Sequence, residues 1–464
     1  MDDRRRARLL VAMLFFVNVA FNFEAAMAEF LLPVVAEALT VPVEQSQIIL
    51  YTYYLAIIVM LALSLTSKAR ALARVPGLVL GGGLFAAGSF LLGITIGTNL
   101  LAVVMSRLLQ GAGVALIVAA TPALIVHWRL SEHMRVSPFA LIPVSIGVGM
   151  LAGPTLGALA AEQQLIPVLY FGTTAVTVAM LIAVTSIRMK TISVELPPMV
   201  PVRCWDFDGL LATGLVLCSL FVVAQSVRGE THLIVGLVIS AALMLAAWLL
   251  FERSDQNSDH PIFDIHFLVR DTRLVQALMM NALSFAGTYV VAYVLPFYIY
   301  YEVLSVGNEL RLGGTIVFVP LGFIFGPLLF EAIARSNIKR SLWSSAYVFF
   351  AALAAFALAN WSGNSWWLLL AGAALGAARG IFVSPYNKLT LNTVPVHRID
   401  EVSAYNSISR YSGMAIGTLV GSAFVVLTSE LQLALMWALL AGVAFMTSSM
   451  ALVLFIKDEE VDQC

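Results

Sequence analysis

Charge and cysteine are what this sequence has little of. Only 11% of its 464 residues are charged, whereas soluble domains contain about 25%, so a soluble globular protein is excluded. The three cysteines, Cys204, Cys218 and Cys464, are scattered along the chain. That spacing excludes a cysteine metal site and a disulfide framework. With 60% hydrophobic residues, the sequence predicts an all-α polytopic membrane protein.

Motifs for ATP hydrolysis and for enzyme catalysis are also missing. The sequence contains no phosphate-binding loop, no long soluble segment and no cluster of histidine and cysteine. The sequence therefore has no motif for ATP-driven transport and no set of residues typical of a membrane-embedded enzyme. We expect a protein that is not an enzyme, that has no cofactor and no metal site, and that binds no nucleic acid.

Fourteen apolar segments are long enough to cross a bilayer as helices. They cover residues 9–35, 47–66, 77–97, 100–125, 137–161, 166–186, 207–227, 232–251, 274–302, 313–334, 341–360, 366–387, 402–428 and 432–456. Longer polar loops set the seventh and eighth segments apart from the rest. The layout predicts a six-helix bundle at 1–190, a linker with two extra helices at 191–272, and a second six-helix bundle at 273–464.

Basic residues indicate how these segments are oriented. Twenty-one of the 26 lysines and arginines fall in the loops on one side of the predicted membrane. Because lysine and arginine concentrate in cytoplasmic loops, both termini are predicted to be cytoplasmic, in the inner (cytoplasmic) membrane of a cell. We expect a multi-pass monomer.

The first segment carries two carboxyl groups, Glu24 and Glu29. A charged group at the centre of a span costs about 2.5–3.5 kcal/mol on insertion scales, so such residues are candidates for function. On a helix, Asn22 and Glu29 share a stripe with Asn18, and Glu24 lies about 140° from it. The two acids should therefore face different neighbours. Both are candidate proton sites, with a structural acid as the alternative for each.

The fourth segment contains Arg107, followed by Gln110, Gly111 and Gly113. An arginine inside a span needs a partner, and a first-segment glutamate is the expected one. Arg107 would then regulate proton binding, or form a fixed salt bridge.

The fifth segment has small residues at a four-residue period: Gly149, Gly153 and Gly157, with Pro154 between them. Glycines at this spacing let another helix approach closely, and proline bends a helix. We expect this glycine ridge to form a sliding surface between the two bundles.

These motifs resemble those of a known family. Arg107-Leu-Leu-Gln-Gly-Ala-Gly113 is similar to the fourth-span RxxQGxG motif of the major facilitator superfamily. The segment Gly149 to Ala158 resembles its fifth-span antiporter motif, GxxxGPxxGG. Fourteen spans with a central pair resemble its drug:proton antiporter family, and Glu24–Pro33 resembles that family's first-span pattern.

The resemblance continues along the chain and also breaks down in one place. Asp206-Phe-Asp-Gly209 is similar to the family's opening of span seven, and Asn406 with Arg410, Gly413 and Gly417 resembles its thirteenth-span pattern. In the loop after span two, Arg70 occupies the place where the family has a gate aspartate. The resemblance implies a major facilitator fold and gives Arg410 a structural or conformational role.

Candidate substrate-binding residues follow from their positions in the second bundle. Asn281, Tyr289 and Tyr293 lie on the ninth segment, which should line the cavity, and Arg379 is a buried charge in the twelfth. Aromatic rings there could stack on a flat or cationic compound. Packing is the alternative for the aromatics, and a bond to backbone carbonyls or to Glu331 is the alternative for Arg379.

We therefore expect a proton-coupled antiporter that exports small amphipathic organic compounds by alternating access. Arg379 and Lys388 leave open an exporter of an anionic metabolite or siderophore-like compound. The altered gate loop leaves open a sensor or scaffold that does not transport.

Overall fold

A computed structural model describes residues 3–65, 75–127, 141–186, 206–226, 230–257, 272–303, 316–331, 338–362, 364–391, 399–428 and 430–455. All regular structure in these ranges is helical. Within a bilayer every backbone polar group must find a partner inside the protein, and a helix satisfies that requirement locally. Arg70 and its loop fall outside the described residues, as do the side chains of Glu331 and Lys388.

Among the described residues, seven helices form the amino-terminal group. They are α1 (Asp3–Phe30), α2 (Leu32–Ala38), α3 (Val43–Leu65), α4 (Val75–Thr95), α5 (Leu100–His127), α6 (Leu141–Glu162) and α7 (Ile166–Ser186). Helix α1 packs against α6 and α7, and α5 packs against α3 and α4.

Two helices follow as a pair, α8 (Phe207–Ser226) and α9 (Glu230–Asn257). They pack on each other, and α8 also contacts α3 and the later helix at 399–427. Asp206 stabilises the beginning of α8. Its carboxylate accepts hydrogen bonds from the Gly209 amide at 2.9 Å and from the Ser254 hydroxyl, on α9, at 2.6 Å. The aspartate singled out in the sequence is thus a helix cap that also ties α8 to α9.

In the described part of the carboxy-terminal group there are six helices. They are α10 (Thr272–Tyr298), α11 (Phe318–Glu331), α12 (Ile338–Ser362), α13 (Ser365–Leu391), α14 (Ile399–Leu427) and α15 (Leu431–Val453). Helix α10 packs against α14 and α15, and α13 packs against α11 and α12. A π-helical turn, Ile299–Val303, extends α10 beyond Pro296.

Twelve of the described helices are long and apolar enough to cross a membrane. Each of the fourteen segments predicted from the sequence contains a helix. Two of these helices are shorter in the described residues, since the apolar part of α8 covers Phe207–Val223 and α11 has 14 residues.

The two groups of helices meet mainly where α3 packs against α14 and where α6 packs against α11. Helices α1 and α10 also face each other there. The main charged residues described below lie on α1, α5 and α13.

Candidate functional site

Glu24 lies on α1 at the centre of a buried polar cluster. Its side chain is 1% exposed. Its carboxylate accepts hydrogen bonds from the Ser89 hydroxyl on α4, at 2.9 Å, and from Gln110 on α5 and Thr173 on α7. A buried carboxylate is tolerated only when donors replace its water, and here three neighbouring helices supply them. Glu24 therefore joins α1 to α4, α5 and α7.

Arg107 on α5 reaches Glu24 only through Gln110. One guanidinium nitrogen of Arg107 donates to the Gln110 side-chain oxygen at 2.8 Å, and the same amide group donates to Glu24. No carboxylate of the described residues lies within 4.0 Å of this guanidinium. The expected direct pair with a first-span glutamate is therefore an indirect one, because Gln110 occupies the space between the two charges.

Further contacts hold the Arg107 side chain in the interior. Its Nε donates to the Ile49 carbonyl oxygen at 3.4 Å, and its guanidinium carbon lies 4.7 Å from the centre of the Tyr53 ring. One terminal nitrogen of Arg107 is buried without a hydrogen-bond partner. These contacts hold the Arg107 guanidinium in place, and one of its terminal NH₂ groups remains available to donate a hydrogen bond.

Glu29 lies one and a half turns further along α1 and faces different neighbours, as the helical period predicts. It is half-buried, and its carboxylate accepts a hydrogen bond from the Tyr54 hydroxyl at 2.7 Å. The hydroxyl of Tyr289, on α10 of the other group, faces the same carboxyl group. Glu29 therefore lies where the two groups of helices meet, whereas Glu24 is enclosed within one of them.

Arg379 on α13 is the corresponding buried charge of the second group, 7% exposed. It donates to the Ser284 hydroxyl at 3.2 Å, and its guanidinium carbon lies 3.2 Å from the centre of the Phe285 ring. One terminal nitrogen has no hydrogen-bond partner. Like Arg107, it has no carboxylate of the described residues within 4.0 Å.

Aromatic rings from both groups lie between Glu29 and Arg379. The ring centre of Tyr289 is 6.0 Å from that of Tyr54 and 6.4 Å from that of Phe285, and Tyr54 is 6.4 Å from Tyr411. We call Tyr54, Phe285, Tyr289 and Tyr411 the aromatic wall. Such rings offer flat faces to a planar or cationic compound.

Three further predicted substrate residues make hydrogen bonds of their own. Asn22 donates to the Asn18 carbonyl oxygen at 2.7 Å, Asn281 donates to the Asn406 carbonyl oxygen at 3.2 Å, and Tyr293 bonds to the first group of helices. Each of these side chains already has a protein partner, so their contact with substrate stays a prediction.

Arg410 adjoins the wall at one edge. Its guanidinium carbon lies 4.8 Å from the centre of the Tyr411 ring, and its Nε is buried without a hydrogen-bond partner.

The glycine ridge of α6 packs against α1. A methyl group built at Gly149 would lie 2.7 Å from the Asn22 Cβ, and one at Gly153 would lie 2.7 Å from the Phe23 carbonyl oxygen. Gly157 faces Met27, and Pro154 is buried within the helix. The expectation that the ridge lies between the two groups is wrong, because a four-residue period keeps all three glycines on the face toward α1.

Gly147 is the α6 glycine that meets the second group. A methyl group there would lie 2.7 Å from the Ile324 side chain on α11. In α5, Gly111 allows close packing within the first group, because the absence of a side chain lets α5 approach the Tyr53 backbone and Ala56 on α3.

The two groups are joined by polar contacts at the end of the molecule where α2 ends and α3 begins. Tyr293 donates to the Val43 carbonyl oxygen at 2.8 Å, Ser422 donates to Gln47, and Tyr300 donates to Glu37 at 3.1 Å. We call this set of contacts the closed face. Sequence reasoning missed it because the partners are hundreds of residues apart and no motif links them.

Comparisons with known proteins agree with this architecture. A family model described as Major Facilitator Superfamily matches residues 14–201 and 209–418. The riboflavin transporter RibZ of Clostridioides difficile (strain 630) is 21% identical over 346 residues, which make up 74% of this chain and 72% of the relative.

Solved structures resemble the chain over nearly its whole length. An auto-inhibited POT family peptide transporter matches with a TM-score of 0.64 at 15% identity, covering 96% of both chains. The nucleoside transporter NupG matches with a TM-score of 0.60 at 12% identity, covering 98% of this chain and all of the other. At such identities the likeness shows the fold alone.

Proposed function

The chain belongs to the Major Facilitator Superfamily and is a secondary transporter, and on that premise we propose that it exports small amphipathic organic compounds in exchange for protons. It acts by alternating access, in which the bundles at 1–190 and 273–464 rock about a central site. The chain crosses the inner membrane fourteen times as a monomer, with both termini in the cytoplasm.

The observation that carries the proposal is the position of Glu29. This carboxyl group lies between Tyr54 of one group and Tyr289 of the other. A residue at the boundary is reached from either side of the membrane as the groups move, which a coupling site requires. Glu24 is held by three donors inside one group, so we assign it to fixing α1 and assign proton exchange to Glu29.

The closed face is consistent with transport by alternating access. With the termini cytoplasmic, this end of the molecule faces outward, so the structure corresponds to a state closed to the outside. A proton that enters through a potential of 100 mV gains about 2.3 kcal/mol, which can drive export.

Replacing Glu29 with glutamine tests the proposal. In proteoliposomes with an imposed pH gradient, the wild-type protein should accumulate a cationic amphipathic dye against its gradient, and Glu29→Gln should only equilibrate it. Glu162→Gln, an exposed acid at the end of α6, is the matched control and should behave as wild type. Gradient-driven accumulation by Glu29→Gln would sink the assignment.

A second candidate substrate is a flat ring system of the flavin type. The aromatic wall suits a planar tricyclic compound, and a distant relative is a riboflavin transporter. Proteoliposomes that take up riboflavin no faster than empty liposomes would exclude it.

Two alternatives from the sequence remain distinct from the main proposal. The buried charge of Arg379 favours an anionic group on the substrate, as an exporter of anionic metabolites would require. A sensor or scaffold would show no proton-linked flux of any compound while its fold stays intact.

A further inference from the structure

Two opposite charges face the aromatic wall from different groups of helices. Glu29 comes from α1, and Arg379 comes from α13. They do not neutralise each other, since their charged atoms are more than 4.0 Å apart. Both nevertheless interact electrostatically with the hydroxyl of Tyr289, which lies between them. The aromatic wall therefore has a negative charge at one end and a positive charge at the other.

At one end of the aromatic wall, Arg379 has a hydrogen-bond donor that a substrate could use. Arg379 is more than nine-tenths buried and has a terminal nitrogen without a partner. A buried donor without a partner is costly, and a carboxylate or another anionic group would satisfy it with a charge-assisted hydrogen bond. The guanidinium of Arg410 lies near enough to act on Arg379, so a second positive charge reinforces the attraction.

The glutamate end suits a cation. Glu29 accepts hydrogen bonds from the hydroxyls of Tyr54 and Tyr289 and is only partly buried, and a carboxylate has lone pairs for a further donor. The charged or titratable groups that face it are Tyr53 and Tyr54 from α3, Tyr289 from α10 and Arg107 from α5. A substrate that carried only a cation would meet Arg379, and one that carried only an anion would meet Glu29.

We infer that the preferred substrate is a flat zwitterion whose anionic group binds Arg379, whose cationic group binds Glu29 and whose ring stacks on the aromatic wall. The inference rests on the proposed proton exchange. A proton that binds Glu29 removes the attraction for the cationic end, so proton and substrate compete for one site, as antiport requires.

Three dyes with a shared xanthene body test the charge pattern. The first is a rhodamine with a free carboxylate, which is a zwitterion; the second is its methyl ester, a cation; and the third is fluorescein, an anion without the amino groups. Binding to the purified protein is measured by fluorescence anisotropy. The zwitterion should bind at least about tenfold more tightly than either of the others, because each loses one charge-assisted contact.

Variants of Arg379 and Glu29 test which residue binds which charged group of the substrate. Arg379→Gln should reduce the affinity for the zwitterion to that of the ester without weakening the ester, and Arg379→Lys should retain part of the preference. Glu29→Gln should reduce the affinity for the zwitterion to that of fluorescein without weakening fluorescein. Arg253→Gln, at a surface arginine paired with Asp208, is the control, and thermal unfolding checks that each variant is folded.

Equal affinities for the zwitterion and its ester, or an equal loss of both in Arg379→Gln, would overturn the inference. Binding is measured without a gradient, so this failure is distinct from failure of the proposed function. If the affinities follow the expected order and a pH gradient drives no transport, the charge pattern stands and proton exchange does not.

Discussion

The hydroxyl of Tyr293 donates a hydrogen bond to the carbonyl oxygen of Val43 at 2.8 Å, across the boundary between the two groups of helices. Ser46 lies 3.4 Å from the same hydroxyl. Val43 and Ser46 both belong to the first group, so the Tyr293 hydroxyl loses these contacts whenever the groups separate. Such a bond contributes about 1 kcal/mol, enough to bias a two-state equilibrium without fixing it.

We expect Tyr293→Phe to open the closed face more often. Loss of about 1 kcal/mol corresponds to roughly a fivefold shift in population, so a cysteine placed at Ser46 should react about that much faster with a membrane-impermeant maleimide added outside. The control is Tyr298→Phe, whose hydroxyl bonds to Asn360 at 3.0 Å within the second group. Equal labelling rates in the two variants would contradict a role for Tyr293 in closure.

The two acids of α1 should differ in what they do for stability. Glu24→Gln places an amide NH₂ where three donors converge, and a buried donor left without an acceptor costs about 1–3 kcal/mol. Glu29→Gln keeps an acceptor for Tyr54 at a partly buried position, so it should cost less. Thermal unfolding in detergent measures both, and a more stable Glu24→Gln than Glu29→Gln would argue against the buried cluster as described.

Gly153→Leu should stop transport while the protein still inserts in the membrane. A side chain at Gly153 meets the backbone of α1, at the Phe23 carbonyl oxygen and at the Met27 nitrogen 2.8 Å away. Backbone cannot yield as a flexible side chain does, so α1 and its two acids must shift. Gly172→Leu in α7 is the control, since no atom lies within 4 Å of a methyl group built there. Unimpaired dye export by Gly153→Leu would show that α1 tolerates the displacement.

The fourteen-span topology predicts opposite sides for the two ends of α9. A reporter that is active only in the cytoplasm should be inactive when fused after Ser226 and active when fused after Asn257. If α8 and α9 do not cross the membrane, both fusions will report the same side.

The membrane class was predictable from composition, and the positions of the helices were predictable from the apolar segments along the chain. In a bilayer, the need to satisfy backbone hydrogen bonds within each span turns a long apolar run into a helix with few alternatives. For this reason each predicted segment contains a helix. The cost of burying charge likewise identified Glu24, Glu29 and Arg107 as unusual before any neighbour was known.

Which side chains meet was decided by the tertiary structure. A helical period tells which residues share a face, and it does not tell which helix that face will meet. The glycine ridge was correctly recognised as a close-packing surface and wrongly assigned to the boundary between the groups, because α1, its actual partner, lies far away in the chain. Similarly, only the fold inserts Gln110 between Arg107 and Glu24 and brings Tyr289 opposite Glu29.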